Sequence, residues 1–247
     1  MRQYTVQDSP TMHARALASL LIPASLGAVG ARHERLSFQS QSGRIAIEAW
    51  IPRAAPARGA AVILLYGSGA EQASGMPYAR LAEAFVSSRR SVYLPHYLDA
   101  TKGSASRPER HYGIWSGTVR DALGFVKSSA GISTDRIAIV GYSLGASVAL
   151  CTAAIAPDLA GVVDWSGSMP DGCRWAQRLP PLLMIHGARD SVIPPYNVRQ
   201  LAALCELRGF SCETRIFPGE GHRFSAGGLA RADQDIETFL DRTLGSP

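Results

Sequence analysis

The sequence has few charged residues and no block of like charge. Only 18% of its 247 residues are Asp, Glu, Lys or Arg, and the net charge is +5 at pH 7. The basic residues stand singly or in pairs such as Arg89-Arg90. Proteins that bind nucleic acids usually cluster their basic residues, so we expect an ordinary solvated surface and no nucleic-acid partner.

Cysteines are also few, and their spacing excludes two kinds of site. Cys151, Cys173, Cys205 and Cys212 form neither a zinc-binding spacing nor a Cys-x-x-Cys redox pair. Cys151 lies in an apolar stretch, so we expect it to be packed in the core. A disulfide among the other three stays open, because the sequence does not assign one.

The N-terminal region lacks an apolar run long enough for a stable membrane span. Residues 16–31 carry no charge, but they are short for a span and rich in Ala, Gly and Ser. With Arg15 before them and small residues at their end, they resemble a signal peptide. Asp8 lies upstream, which argues against export unless Met12 is the true start. The alternative is a short helix broken by Pro23.

Residues 1–32 are therefore set apart as a signal peptide or an N-terminal helix. Of the two, a signal peptide within residues 12–31 is favoured, which implies a periplasmic or secreted protein; the alternative is a cytoplasmic one. Residues 33–247 show no repeat, linker or break in composition that would divide them. We expect them to form a single domain.

Strand-like and helix-like segments alternate along this domain. Residues 34–39 and 44–51 alternate apolar and polar side chains around Gly43, which predicts a hairpin at a sheet edge. Strands that alternate with helices pair in parallel through right-handed crossovers, so we predict an α/β fold with a mostly parallel sheet of seven or eight strands. Further strands are expected at residues 60–66, 91–95, 137–142, 160–164, 182–186 and 212–217, and helices at residues 78–88, 117–128, 145–156, 197–208 and 230–242.

A serine between two glycines interrupts the apolar run at residues 137–150. Ser143 lies in Gly-Tyr-Ser-Leu-Gly, after a predicted strand and before a predicted helix. Gly141 and Gly145 relieve the crowding of a tight strand-to-helix turn, and the helix directs its N-terminus toward the hydroxyl. This pattern is typical of a nucleophile elbow. The alternative is a serine that only caps the helix.

A serine nucleophile needs a base and an acid that orients the base. His222 lies in a glycine-rich loop directly after the strand 212–217, where a catalytic base belongs. Asp190 follows a strand after a short loop, which allows its carboxylate to turn back toward the site. Asp164 belongs to a strand and is the alternative acid. We therefore predict Ser143, Asp190 and His222 as catalytic residues.

The rest of the site is predicted from the loops at the carboxyl ends of the strands. The backbone N–H groups of Leu144 and Ser68 are expected to form an oxyanion hole. His186 closes a strand, and we expect it to support the loop that carries the acid. The triad needs no metal and no organic cofactor, so we expect neither. The candidate pocket residues are Tyr66, His96, Arg110, Trp165 and Met169.

The motifs YGSG, GYSLG, HGARD and PGEGH, in this order over residues 34–245, resemble those of α/β-hydrolases of the dienelactone hydrolase group. The resemblance implies an eight-stranded sheet with helices on both faces, no large cap domain, and hydrolysis of an ester or lactone through an acyl-enzyme. It assigns the nucleophile to Ser143, the acid to Asp190 and the base to His222. Two features differ: the dienelactone hydrolases have cysteine at the elbow, and many relatives have histidine in place of Tyr66.

Three functions stay open at this point. The first is a serine esterase or lactonase acting on small to medium substrates. The second is a peptidase or acyltransferase with the same triad, because an acyl-enzyme forms from an amide as well and an alcohol can capture it in place of water. The third is a non-catalytic relative that only binds. The expected partner is a small ester or lactone, and the sequence sets no oligomeric state.

Overall fold

The computed structural model describes residues 31–53, 59–69 and 78–245. Almost all of the segment 1–32, including the expected signal peptide or N-terminal helix, therefore lies outside the described residues. The first strand already begins at Ala31. In the described part of the chain, none of the helices combines the length and the apolar character that a membrane crossing requires.

An eight-stranded sheet forms the centre of the molecule, as predicted. Its spatial order is β1-β2-β4-β3-β5-β6-β7-β8. The pairs β1–β2 and β2–β4 are antiparallel and all the others are parallel. The strands are β1 (Ala31–Ser40), β2 (Gly43–Pro52), β3 (Ala61–Leu65), β4 (Ser91–Pro95), β5 (Ile137–Tyr142), β6 (Gly161–Trp165), β7 (Leu182–Gly187) and β8 (Cys212–Phe217).

The burial of the strands follows their place in the sheet. All residues of β3 and β5 are buried, because these central strands are covered on both faces, which explains their continuous apolar sequence. The edge strand β1 has mostly exposed side chains and alternates polar with apolar residues. Its hairpin with β2 turns at Gly43, whose φ of +114° suits glycine.

In the described residues, five helices cover the sheet: α1 (Tyr78–Ser87), α2 (Tyr112–Ala130), α3 (Leu144–Ile155), α4 (Tyr196–Arg208) and α5 (Ala226–Leu244). Helices α2 and α3 pack against each other on one face. On the opposite face, Phe239 of α5 lies directly against Gly161 of β6. For the part of the chain that the structure describes, the prediction of an α/β fold with helices on both faces and no large cap is thus confirmed.

Two helices begin several residues earlier than the sequence predicts. Helix α2 starts at Tyr112, five residues before the predicted start, despite two glycines in its first turns. Helix α5 starts at Ala226, because the hydroxyl of Ser225 accepts a hydrogen bond of 3.1 Å from the N–H of Gly228 and caps the helix. At the start of α5, a Cβ atom on Gly228 would collide with the carboxylate of Glu220, so close packing favours glycine there.

The four cysteines form two disulfides, Cys151–Cys173 and Cys205–Cys212. Cys151 is buried as predicted, but its expected separation from the other three is wrong, because it is bonded to Cys173. This bond joins α3 to the short turn at residues 171–173. The second bond joins α4 to the start of β8.

Candidate active site

The turn at Ser143 has the strained geometry of a side chain presented between a strand and a helix. Ser143 has φ of 55° and ψ of −120°, and it separates β5 from α3. A Cβ atom on Gly141 would lie 2.5 Å from the carbonyl oxygen of Gly145, and one on Gly145 would lie 2.5 Å from that of Tyr66. Both positions therefore require glycine. The N–H of Ser143 donates to the carbonyl of Trp165 at 2.8 Å, which ties the turn to β6.

Three side chains from distant parts of the chain meet at this turn. Nε2 of His222 lies 2.9 Å from Oγ of Ser143, and Nδ1 of His222 lies 2.8 Å from Oδ2 of Asp190. An ionised carboxylate only accepts, so Nδ1 carries the proton and Nε2 is left to accept from the serine hydroxyl. The arrangement allows a proton to move from Oγ to the imidazole.

The carboxylate of Asp190 is held by backbone groups of its own loop. Its Oδ1 accepts hydrogen bonds from the N–H groups of Val192 and Ile193 at 2.9 and 2.8 Å. Its side chain is fully buried. These two bonds aim Oδ2 at His222. The predicted alternative acid, Asp164, accepts instead from the N–H of Gly167 at 2.9 Å, and His222 pairs with Asp190.

The loop that carries His222 is fixed by two residues that the sequence reasoning did not single out. The hydroxyl of Tyr142 donates to the carbonyl oxygen of His222 at 3.0 Å. The carboxylate of Glu220 accepts from the N–H of Ser225 at 2.6 Å and from its hydroxyl at 2.7 Å. These hydrogen bonds keep the pKa of Glu220 below its ordinary value. An acid just before a helix that starts at serine is a signal that could have indicated this role.

Burial also changes the pKa of Tyr142. It raises the pKa of the Tyr142 phenol to about 12, so the hydroxyl stays protonated through the neutral range and keeps donating to His222. The rings of Tyr142 and His222 are 5.4 Å apart between centroids. The phenol is therefore a structural support for the imidazole and takes no part in titration near neutral pH.

The loop after β3 passes directly beside Ser143. A Cβ atom on Gly67 would lie 3.3 Å from Cβ of Ser143. The N–H of Gly67 donates to the hydroxyl of Tyr78 at 3.2 Å, and the hydroxyl of Tyr97 donates to the carbonyl of Tyr66 at 2.7 Å. Tyr97 thus holds the backbone of Tyr66, and the side chain of Tyr66 is buried.

The two predicted oxyanion donors belong to two different segments near the serine. Ser68 lies in the exposed turn that follows Gly67, and Leu144 is the first residue of α3. Helix N-termini carry unpaired N–H groups and a partial positive charge. The roles of Leu144 and Ser68 as oxyanion donors stay a prediction.

The predicted pocket residues Trp165 and Arg110 lie in contrasting environments. The indole of Trp165 is 1% exposed and packs edge-on against Tyr142 and Phe224. Such burial places Trp165 in the core beneath the site, so the expectation that it lines the pocket is not supported. Arg110 lies in an exposed 3₁₀ turn just before α2.

The last two predicted pocket residues, His96 and Met169, have different neighbours. Nε2 of His96 lies 3.2 Å from Oε1 of Glu48 in β2, so the imidazole is engaged by a neighbouring strand. Met169 lines a groove of about 400 Å³ together with Trp175, Leu201 and Leu204. The groove runs beside α4, and Trp175 is largely exposed at its rim.

The fold agrees with comparisons to known proteins. The profile of the phospholipase/carboxylesterase family matches residues 121–243. A solved structure from Klebsiella pneumoniae subsp. pneumoniae, described as a dienelactone hydrolase, is 15% identical and has a TM-score of 0.74 over 86% of this chain and 99% of its own. The chain has the α/β-hydrolase fold. The predicted resemblance to the dienelactone hydrolases is confirmed at the level of the fold.

Two further proteins are similar to this chain. A protein of Oryza sativa subsp. japonica, described as a carboxylesterase, is 26% identical over 165 residues, which are 63% of this chain and 62% of the relative. The chain thus spans less than two thirds of the length of this curated relative. A puromycin-hydrolysing peptidase of Mycobacterium tuberculosis has a TM-score of 0.74 at 16% identity over 90% of this chain and 41% of its own.

Proposed function

We propose that the protein is a serine hydrolase that cleaves carboxylic esters or lactones of small to medium size through an acyl-enzyme. The single observation that carries the proposal is the hydrogen-bonded chain from Ser143 through His222 to Asp190, with distances of 2.9 and 2.8 Å. The family match and the carboxylesterase and dienelactone hydrolase descriptions of similar proteins support the same reaction class.

The first half of the reaction forms the acyl-enzyme. Oγ of Ser143 attacks the substrate carbonyl carbon while its proton passes to Nε2 of His222. The carbonyl oxygen becomes an oxyanion, which accepts hydrogen bonds from the N–H groups of Leu144 and Ser68. The C–O bond to the alcohol then breaks, and the imidazolium returns the proton to the leaving alkoxide.

The second half releases the acid. A water molecule gives a proton to Nε2 of His222 and attacks the acyl carbon, and the resulting oxyanion uses the same two N–H groups. The bond to Oγ breaks, and the imidazolium protonates the serine. Throughout, Asp190 holds the imidazole and stabilises its charged form. In a lactone, the leaving alkoxide stays attached to the acyl group.

Hydrolysis of short p-nitrophenyl esters tests this proposal. We expect turnover by the wild-type protein and a loss of at least about a thousandfold in kcat for Ser143→Ala. Ser128→Ala is the matched control, because it removes an exposed hydroxyl that donates to backbone carbonyls inside α2. Equal activity of Ser143→Ala and Ser128→Ala would overturn the proposal.

A panel of esters, lactones and amides separates the related reactions. We expect esters or lactones to be hydrolysed with higher kcat/KM than amides that carry the same acyl group. A reversed preference would instead support a peptidase. Transfer of the acyl group to an added alcohol faster than to water would support an acyltransferase.

A further inference from the structure

A second pair of titratable side chains is buried directly behind the acid of the triad. His186 at the end of β7 is fully buried, and Asp164 at the end of β6 is 1% exposed. The two strands are adjacent and parallel, with Trp165 opposite Ile185. Neither Asp164 nor His186 has a part in the reaction steps given above.

His186 contacts the same carboxylate oxygen that holds His222. Its Nε2 lies 2.8 Å from the carbonyl oxygen of Ile193 and 3.3 Å from Oδ2 of Asp190. A carbonyl only accepts, so Nε2 carries a proton and donates. Oδ2 of Asp190 therefore faces two imidazoles, one from β7 and one from the loop after β8.

Asp164 has few groups to balance its charge. Its Oδ1 accepts from the N–H of Gly167, whereas its Oδ2 and Nδ1 of His186 have no hydrogen-bond partner among the described residues. Burial raises the pKa of Asp164 to about 6, and the electrostatic effect of His186 opposes this rise. A buried carboxyl group that accepts one backbone hydrogen bond and leaves its second oxygen without a partner among the described residues is costly and needs an explanation.

We propose that His186 and Asp164 are positioning residues for the triad. His186 fixes the carboxylate of Asp190 against His222, and Asp164 places a buried negative charge behind His186 that stabilises the imidazolium form of His222. The inference rests on the proposed function, because it concerns the same three catalytic residues.

The charged groups around this chain define the expected direction of the effect. His222 faces Asp190, the hydroxyl of Ser143 and the phenol of Tyr142, and the positive charge of Arg223 acts on that phenol. Asp164 pairs in register with Met184, two residues before His186, so the side chains of Asp164 and His186 lie on the same face of the sheet. A negative charge raises the pKa of a nearby imidazole, so removing it lowers that pKa.

The pH dependence of kcat/KM tests the role of Asp164. In Asp164→Asn, which keeps the shape of the side chain, we expect the acidic limb to move to lower pH by about half a pH unit. Asp158→Asn is the control, because this substitution removes the same charge from an exposed residue just before β6. A limb that does not move, or moves equally in both variants, would overturn the role of Asp164.

Two substitutions test the role of His186. His186→Gln keeps an N–H donor near Nε2 but cannot titrate, whereas His186→Leu removes the donor. We expect kcat to fall by about tenfold or more in His186→Leu, with a much smaller loss in His186→Gln and with KM little changed in both. Equal values of kcat in the two variants would overturn the positioning role.

An NMR titration of the His222 ring separates this inference from the proposed function, because it needs no turnover. The signal is assigned by its loss in His222→Gln. We expect the pKa of His222 to be lower in Asp164→Asn than in the wild-type protein, even if no tested ester is hydrolysed. An unchanged pKa in a protein that does hydrolyse esters would overturn the inference and leave the proposed function intact.

Discussion

The hydroxyl of Tyr142 donates a hydrogen bond of 3.0 Å to the backbone carbonyl of His222. Tyr142 is the residue before Ser143, so this bond joins the strand that ends at the serine to the loop that carries the imidazole. In Tyr142→Phe, we expect kcat to fall several-fold and the free energy of unfolding to fall by about 1 kcal/mol. Steady-state kinetics and urea denaturation measure the two effects. Tyr196→Phe, at an exposed position, is the control, and equal kinetics for both variants would contradict this role.

Arg90 joins the end of α1 to α5. Its side chain is 3% exposed, lies 2.5 Å from Glu237 and also pairs with Asp241. Since Arg90→Met leaves these two carboxylates without a cation, we expect a loss of about 3 kcal/mol in the free energy of unfolding. Arg80→Met breaks a surface pair at 3.5 Å and should cost less than about 1 kcal/mol. Chemical denaturation of both variants checks the difference, and equal losses would contradict it.

The buried Asp164 makes stability depend on pH. Burial raises its pKa from 3.8 to about 6, so the folded state favours the protonated form. This contribution to stability is fully present below the unfolded pKa and is lost as the pH rises through the folded pKa. Between pH 4 and pH 8, Asp164→Asn should therefore gain up to about 3 kcal/mol relative to the wild-type protein.

Thermal or urea denaturation of Asp164→Asn and of the wild-type protein at several pH values measures this gain. Asp158→Asn provides the comparison for a lost surface charge. A difference between Asp164→Asn and wild type that stays constant across the range would show that Asp164 does not titrate there.

The disulfide between Cys151 and Cys173 ties α3 to the turn after β6. Replacement of both cysteines by alanine should lower the free energy of unfolding by about 3 kcal/mol, because a loop in the unfolded chain is released. Removal of the Cys205–Cys212 disulfide, which closes a shorter loop, should lower the free energy of unfolding by less, about 2 kcal/mol. Denaturation with and without reductant measures both losses. If the free energy of unfolding of the wild-type protein is the same with and without reductant, the pairing is contradicted. Disulfides persist in oxidising compartments, which supports the expectation of export.

The sequence predicted best what depends on local pattern. Strand β5, the elbow at Ser143 and helix α3 follow from an apolar run, two glycines and a second apolar run, and close packing requires glycine at both positions. Contacts between distant segments were harder to predict. The partner of Cys151 depends on where the turn at residues 171–173 packs, and nothing near Cys151 in the sequence specifies that turn.

The supports of the site show the same limit. The place of His222 after β8 was predicted from its glycine-rich loop, but the hydrogen bond from Tyr142 forms only when β5 and the loop after β8 come together. The contact of His186 with Asp190 likewise forms only because the loop at residues 190–193 folds back toward β7. Trp165 was predicted to line the pocket, and its packing against Phe224 was not foreseen because Phe224 lies almost sixty residues later in the sequence.

Covalent labelling with a fluorophosphonate tests the central claim most directly, because the probe reacts with an activated serine and the labelled residue is located by mass spectrometry. The account predicts a single phosphonylated residue, Ser143, in the wild-type protein and a labelling rate in His222→Gln reduced by about a hundredfold or more. Labelling of another serine such as Ser166, or labelling of Ser143 at the same rate in His222→Gln, would contradict it.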